Sequence, residues 1–191
     1  GAKQKLLLSL LNGSHPQQGY IDALALLQLD AGIPRTVMVK KALDNGLNSV
    51  AETPLFIDLV KKYDVKEKSS ELFRLVRSGA SEPLQLDALR LLLHLGGGAL
   101  IDHSLTASSK DSSRLLLTQL GKAGTDASRK YLLQWATNLK HAQEMRIEAI
   151  KALASGRTGE TALLELVKNK KLRKDLEPTA TELFSQTHRN D

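Results

Sequence analysis

The sequence predicts an all-α chain of stacked antiparallel helix pairs, and three observations carry that prediction. Leucine fills 38 of 191 positions, while phenylalanine, tyrosine and tryptophan number three, three and one. Strands favour β-branched and aromatic residues, whereas Leu, Ala, Lys and Glu favour helices. Apolar residues recur at helical spacing, as in Tyr20, Ile21, Leu24 and Leu27, in Leu86, Leu89, Leu92 and Leu93, and in Ile147, Ile150, Leu153 and Ala154. Finally, one seven-residue pattern returns three times along the chain.

Glycine and proline divide the chain into elements. Stop signals stand at Asn12-Gly13, Ala31-Gly32, Asn45-Gly46, Ser78-Gly79, Gly96-Gly97-Gly98, Ala123-Gly124 and Ser155-Gly156, because glycine takes the left-handed conformation that closes a helix. Pro34, Pro54 and Pro83 each suit a first helical position, where the missing N–H costs nothing. Ser81 reads as an N-cap, and Ser108-Ser109-Lys110-Asp111 as a capping box. These marks predict helices near Lys3–Asn12, Gln17–Asp30, Pro34–Asn45, Pro54–Tyr63, Lys66–Arg77 and Pro83–Leu95. The second half follows with Ala99–Leu105, Asp111–Lys122, Ala127–Asn138, Ala142–Ala154, Gly159–Asn169 and Asp175–Ser185. Connections of a few residues make neighbours antiparallel, and no strand is needed.

The repeated pattern is apolar, acidic, Ala, apolar, variable, apolar, Leu. It reads Ile21-Asp22-Ala23-Leu24-Ala25-Leu26-Leu27, then Leu86-Asp87-Ala88-Leu89-Arg90-Leu91-Leu92, with Ile147-Glu148-Ala149-Ile150-Lys151-Ala152-Leu153 as the third copy. Spacings of 65 and 61 residues are each about two helix pairs, so the copies mark alternate units of a stack. A small Ala at the tightest crossing lets a neighbouring helix approach.

Met145 to Gly156, followed by Gly159 to Val167, resembles a short bacterial HEAT-like repeat: a helix with Arg, Glu-Ala and Ala-Leu, a glycine stop, then a leucine-rich helix. The likeness is good there, fair around Leu84–Gly98 and weak elsewhere. Gln85 stands where the third copy has Arg146, and Tyr20 where the first copy would have it. The resemblance implies a right-handed α–α superhelix of HEAT or armadillo type over 1–191, cut from a longer protein. It also implies that the arginine position supports an adjacent loop. Leu163–Pro178 further resembles helical spacers of large extracytoplasmic bacterial proteins, which carry propeller dehydrogenase-like or c-type cytochrome domains.

Composition argues against several kinds of chemistry. There is no cysteine, so thiolate metal sites, cysteine nucleophiles and covalent haem attachment within this segment are excluded. The histidines His15, His94, His103, His141 and His188 are scattered, without metal-ligand spacing. Gly96-Gly97-Gly98 lacks the lysine and hydroxyl residue of a phosphate loop, and no nucleophile elbow occurs. Apolar runs such as Ala23–Leu27 are far shorter than the roughly 18 residues a membrane span needs. Neither enzyme nor cofactor is therefore expected.

Charge is the remaining signal. The net charge of +6 divides as +1 over 1–109, +8 over 110–174 and −3 over 175–191. The expected function is a non-catalytic protein-interaction module or interdomain spacer, acting as a monomer on another protein or on neighbouring domains. The expected contact residues are Asp22, Arg90, Arg129, Lys130, Arg146 and Lys151, together with the run Lys168, Lys170, Lys171, Arg173 and Lys174. The alternative is a nucleic-acid-binding, repair-glycosylase-like protein using the basic third; its base platform would have to be Tyr131 and Trp135, which at helical spacing read rather as core. Regulation of an enzyme partner through the same surface is a third reading.

Overall fold

The computed structural model describes residues 1–156 and 159–187. Its regular structure is entirely helical. In chain order the helices are α1 (Ala2–Leu10), α2 (Gln18–Gln28), α3 (Val37–Ser49), α4 (Pro54–Tyr63), α5 (Ser69–Val76) and α6 (Glu82–His94). There follow α7 (Gly98–Ala107), α8 (Lys110–Ala123), α9 (Asp126–Thr137), α10 (Gln143–Ala154), α11 (Gly159–Lys168) and α12 (Glu177–Thr187). A 3₁₀ turn, Lys66–Lys68, leads into α5. The chain divides into two compact units, Gly1–Leu91 and Leu92–Asp191.

In the first unit α2 lies along α3, and α1 and α4 also pack on α2. Leu26, Leu47, Leu59, Val60 and Leu72 form its fully buried centre. Glycine at 46 does not stop α3, although Asn45-Gly46 reads as a stop signal. Gly46 lies inside the helix, where a Cβ would sit 3.1 Å from the Ala23 nitrogen and 3.2 Å from its Cα. The glycine serves a close crossing of α2 and α3 instead. Pro34 likewise precedes α3 by a turn, and Thr36 is the cap, its Oγ1 accepting from the Val39 N–H at 3.3 Å. Pro54 does open α4. The last carbonyls of α2 are closed from α4: Tyr63 Oη donates to Leu26 O at 2.9 Å, and Lys62 Nζ to Leu27 O at 2.7 Å and to Leu29 O.

In the second unit α10 is central, touching α8, α9, α11 and α12. Gly121, inside α8, is another glycine of close approach. A Cβ there would collide with the carbonyl oxygen of Ala152 in α10 and lie 2.9 Å from its carbon. Gly124, at φ +62°, is a true left-handed stop. Ser109 caps α8 through the Ser112 N–H at 3.4 Å. A full capping box stands at α9, where Thr125 and Ser128 exchange side-chain and backbone bonds of 3.1 and 3.0 Å.

Burial corrects the register of the first repeat copy. Ala23, Ala88 and Ala149 are all fully buried, yet Leu24 is 41% exposed where Leu89 and Ile150 are fully buried. Sliding the first copy by two residues aligns Asp22, Ala25, Leu26 and Leu29 with Gln85, Ala88, Leu89 and Leu92, and with Arg146, Ala149, Ile150 and Leu153. The spacings then become 63 and 61 residues. Each copy now begins with a polar residue tied to chain outside its own helix, one turn before a buried Ala.

Candidate interaction surface

Two of the expected contact residues are internal. Asp22 is fully buried, its Oδ1 accepting from the Asn12 N–H at 2.8 Å and from Gln18 Nε2 at 2.7 Å. Its Oδ2 accepts from Asn45 Nδ2 at 3.4 Å. These bonds hold Asn12, at φ +57°, in the loop between α1 and α2. Arg146 is 3% exposed and donates through Nη2 to Asp175, just ahead of α12. At the equivalent position Gln85 Nε2 donates to Ser78 O at 2.5 Å. All three tie a loop, so Asp22 and Arg146 are corrected from contact residues to loop supports. The reason is geometric: they lie on the stripe that carries Leu26 and Ile150, not beside it.

The rest are surface charges, and they divide by pairing. Arg90 pairs with Asp87 at 2.8 Å, Lys151 with Glu148 at 3.1 Å, Arg173 with Asp175 at 3.3 Å, and Arg129 with Asp126. Asp87 and Glu148, the recurring acids, are thus solvated helix flanks. Lys130, Lys168, Lys170, Lys171 and Lys174 are exposed and have no ion pair among the described residues.

Four of these five sit on one structured turn. After α11 the Lys171 N–H bonds to Leu166 O at 2.9 Å and the Lys170 N–H to Val167 O at 3.0 Å, the pattern of a Schellman stop. Buried Leu172 anchors the turn. Its left-handed position is held by Lys170 at φ +53°, where glycine is the ordinary choice and a side chain costs about 1–2 kcal/mol. The lysines also complement the partial negative charge at the end of α11.

The aromatic pair offers no open platform. Trp135 is 4% exposed, stacked between Tyr131, with centroids 6.4 Å apart, and His141, with centroids 3.5 Å apart and planes within 11°. Tyr131 Oη donates to Asp102, and burial together with that carboxylate raises its pKa. Burial depresses the pKa of His141, Asp102 opposing and Arg146 reinforcing the shift.

The surface also carries concavities that no motif signals. A polar groove of about 320 Å³ in the first unit is lined by Asn12, His15, Gln18, Lys41, Asn45 and Asn48, among others. In the second unit a cavity of about 280 Å³ lies between α7, α8, α9 and the start of α10, with Leu105, Lys110, Trp135, Lys140, Ala142 and Met145 in its wall. No group of three or more metal-ligating side chains occurs among the described residues. No described helix is long and apolar enough by itself to cross a membrane.

The chain matches no known family model, no curated protein and no solved structure.

Proposed function

We propose that this chain is a non-catalytic interaction module of HEAT-like helix pairs that holds an acidic surface of another protein or of a neighbouring domain. The observation that carries the reading is the division of the surface cations. Four lysines around the α11 stop form no ion pair among the described residues, and one of them occupies a left-handed position that favours glycine. A side chain kept there against its backbone preference points to use at the surface.

The pattern of helix contacts supports the scaffold. Each well-packed pair among the described helices joins elements one or two positions apart: α2 touches α4, α8 touches α10, and α10 touches α12. Such short-range ladders suit a stack, in which each unit contacts its neighbours. The buried condition of Trp135 favours a protein partner over a nucleic acid, since a base platform needs an open ring face.

The test compares the wild type with the combined variant Lys168→Gln, Lys170→Gln, Lys171→Gln and Lys174→Gln. Its probes are a fluorescent glutamate-rich peptide and a fluorescent DNA duplex, read by anisotropy at low salt. The expected result is salt-sensitive peptide binding that the variant loses by about tenfold or more. DNA binding tighter than peptide binding, or peptide binding indifferent to the four substitutions, would overturn the proposal.

A further inference from the structure

A cavity of about 180 Å³ in the first unit pairs an apolar floor with a charged rim. It lies between the end of α3, the start of α4 and α5. Leu47, Phe56 and Leu75, between 1% and 4% exposed, form the floor. The rim carries Glu52 from the turn after α3, Lys68 from the 3₁₀ turn, and Glu71 and Arg74 from α5. An apolar hollow of roughly 150 Å³ takes one benzene molecule, so this one admits a single apolar side chain and nothing much larger.

The rim is neutral, two cations facing two carboxylates, and one of its pairs is loosely made. Arg74 stands 3.5 Å from Glu52, with side chains 65% and 55% exposed. An exposed pair of that kind contributes little, so opening it to a ligand costs little. Lys68 and Glu71 are closer, at 2.9 Å. The hydrogen bond from Lys68 lowers the Glu71 pKa against the opposing effect of burial, and the Arg74 charge adds to the lowering. Glu52 supplies an independent sign. Its backbone sits at φ +63°, in the left-handed region that Asn12 and Asp64 also occupy. Asn and Asp visit that region through short polar side chains that bond locally, an allowance glutamate lacks. Glycine would close the turn with less strain, so a glutamate kept there points to use of its carboxylate at the rim.

We infer that this cavity binds a free apolar α-amino acid. The side chain fills the space against Leu47, Phe56 and Leu75, the α-carboxylate pairs with Arg74, and the α-ammonium pairs with Glu52. The spacing agrees. Bonds of about 1.5 Å on either side of Cα set the two charges of an α-amino acid about 3 Å apart. Arg74 and Glu52 are separated by 3.5 Å, so each meets its counter-charge on one small molecule. A hydrocarbon would leave the rim unused, and a fatty or aromatic acid would leave Glu52 without a cation. An internal peptide residue brings neither charge beside its side chain. The free amino acid is the ligand class that answers floor and rim together.

The test titrates the whole chain with L-leucine by isothermal calorimetry. Two controls divide the ligand: glycine keeps the charges without the side chain, and N-acetyl-L-leucinamide keeps the side chain without the charges. The expected result is saturable binding of leucine, with each control weaker by about tenfold or more. Arg74→Gln and Glu52→Gln should each weaken leucine about tenfold and leave the melting temperature nearly unchanged, because the pair they break is exposed. Glu52→Gly separates use from support. Relief of the left-handed backbone should raise the melting temperature by about 2–4 °C, while leucine binding falls as it does in Glu52→Gln. N-acetyl-L-leucinamide binding as well as leucine would assign the hollow to a side chain of a protein partner and overturn the inference. Glycine binding as well as leucine, full leucine binding by Glu52→Gly, or no saturable heat with leucine would overturn it equally. None of these residues belongs to the lysine turn, so the two proposals fail separately.

Discussion

Gly121→Ala sets two physical effects against each other and so tests the packing described for α8 and α10. Local propensity favours the change, because alanine is better than glycine inside a helix by about 1 kcal/mol. Packing opposes it. The new methyl would collide with the Ala152 carbonyl oxygen, stand 2.9 Å from that carbon and 3.0 Å from Ser155 Oγ. The serine hydroxyl can rotate away, but a helical carbonyl cannot. Relief therefore requires α8 and α10 to separate, which loosens Leu117, Leu120, Ile150 and Leu153 together. Overpacking of this kind costs about 1–3 kcal/mol, and a rigid backbone obstacle belongs in the upper part of that range. The net expectation is destabilisation by about 1–2 kcal/mol, a clear shift in a urea midpoint followed by far-UV circular dichroism. Gly46→Ala should cost less, since its nearest neighbours stand at 3.1–3.4 Å and need yield only a few tenths of an ångström. A Gly121→Ala protein as stable as the wild type would refute the reasoning, because it would mean the two helices do not approach so closely.

Other expectations follow from the buried polar positions and the lysine turn. Asp22→Ala leaves the Asn12 N–H, Gln18 and Asn45 without their shared acceptor and should lower unfolding free energy by about 2–4 kcal/mol in urea titrations. Arg146→Ala should destabilise by about 3 kcal/mol, whereas Arg146→Met, which keeps the packing and removes the buried charge, should cost distinctly less in the same assay. Lys170→Gly should stabilise the chain by about 1 kcal/mol while weakening the glutamate-rich peptide, a trade that melting curves and anisotropy read separately. His141 has a folded pKa below the ordinary 6.5, so it contributes stability above about pH 6.5 that is lost as pH falls through the lowered value. Urea midpoints of wild type and His141→Phe, measured from pH 7.5 down to 5, should diverge, with the wild type falling faster.

The helices were legible because their signals are local: leucine spacing, prolines such as Pro54 and stops such as Gly124 act within a turn of themselves. Glycine was ambiguous wherever its role depends on a neighbour. Gly46 and Gly124 look alike in sequence, yet one faces Ala23 across a helix crossing and the other turns the chain. The first repeat was misread for a related reason. Ala23 and Ala25 are both small, both buried and two residues apart, so pattern matching fits either register. Only the burial of Asp22 and Leu29 separates them. Pairing was legible for Arg90 and Lys151, whose acids lie three residues away on the same helix, and illegible for Arg146, whose acid is 29 residues distant. The cavity beside α10 had no motif at all, because four helices and a turn supply its wall.

The reach of Lys62 and Tyr63 back to the end of α2 bears on how the chain takes shape as it is made. Leu26, Leu27 and Leu29 emerge some 35 residues before the side chains that close their carbonyls. During vectorial synthesis the last turn of α2 is expected to stay frayed until α4 has cleared the exit, and α2, α3 and α4 to lock then as one block. Amide exchange in the folded chain should preserve that history, with the last turn of α2 opening only when α4 does.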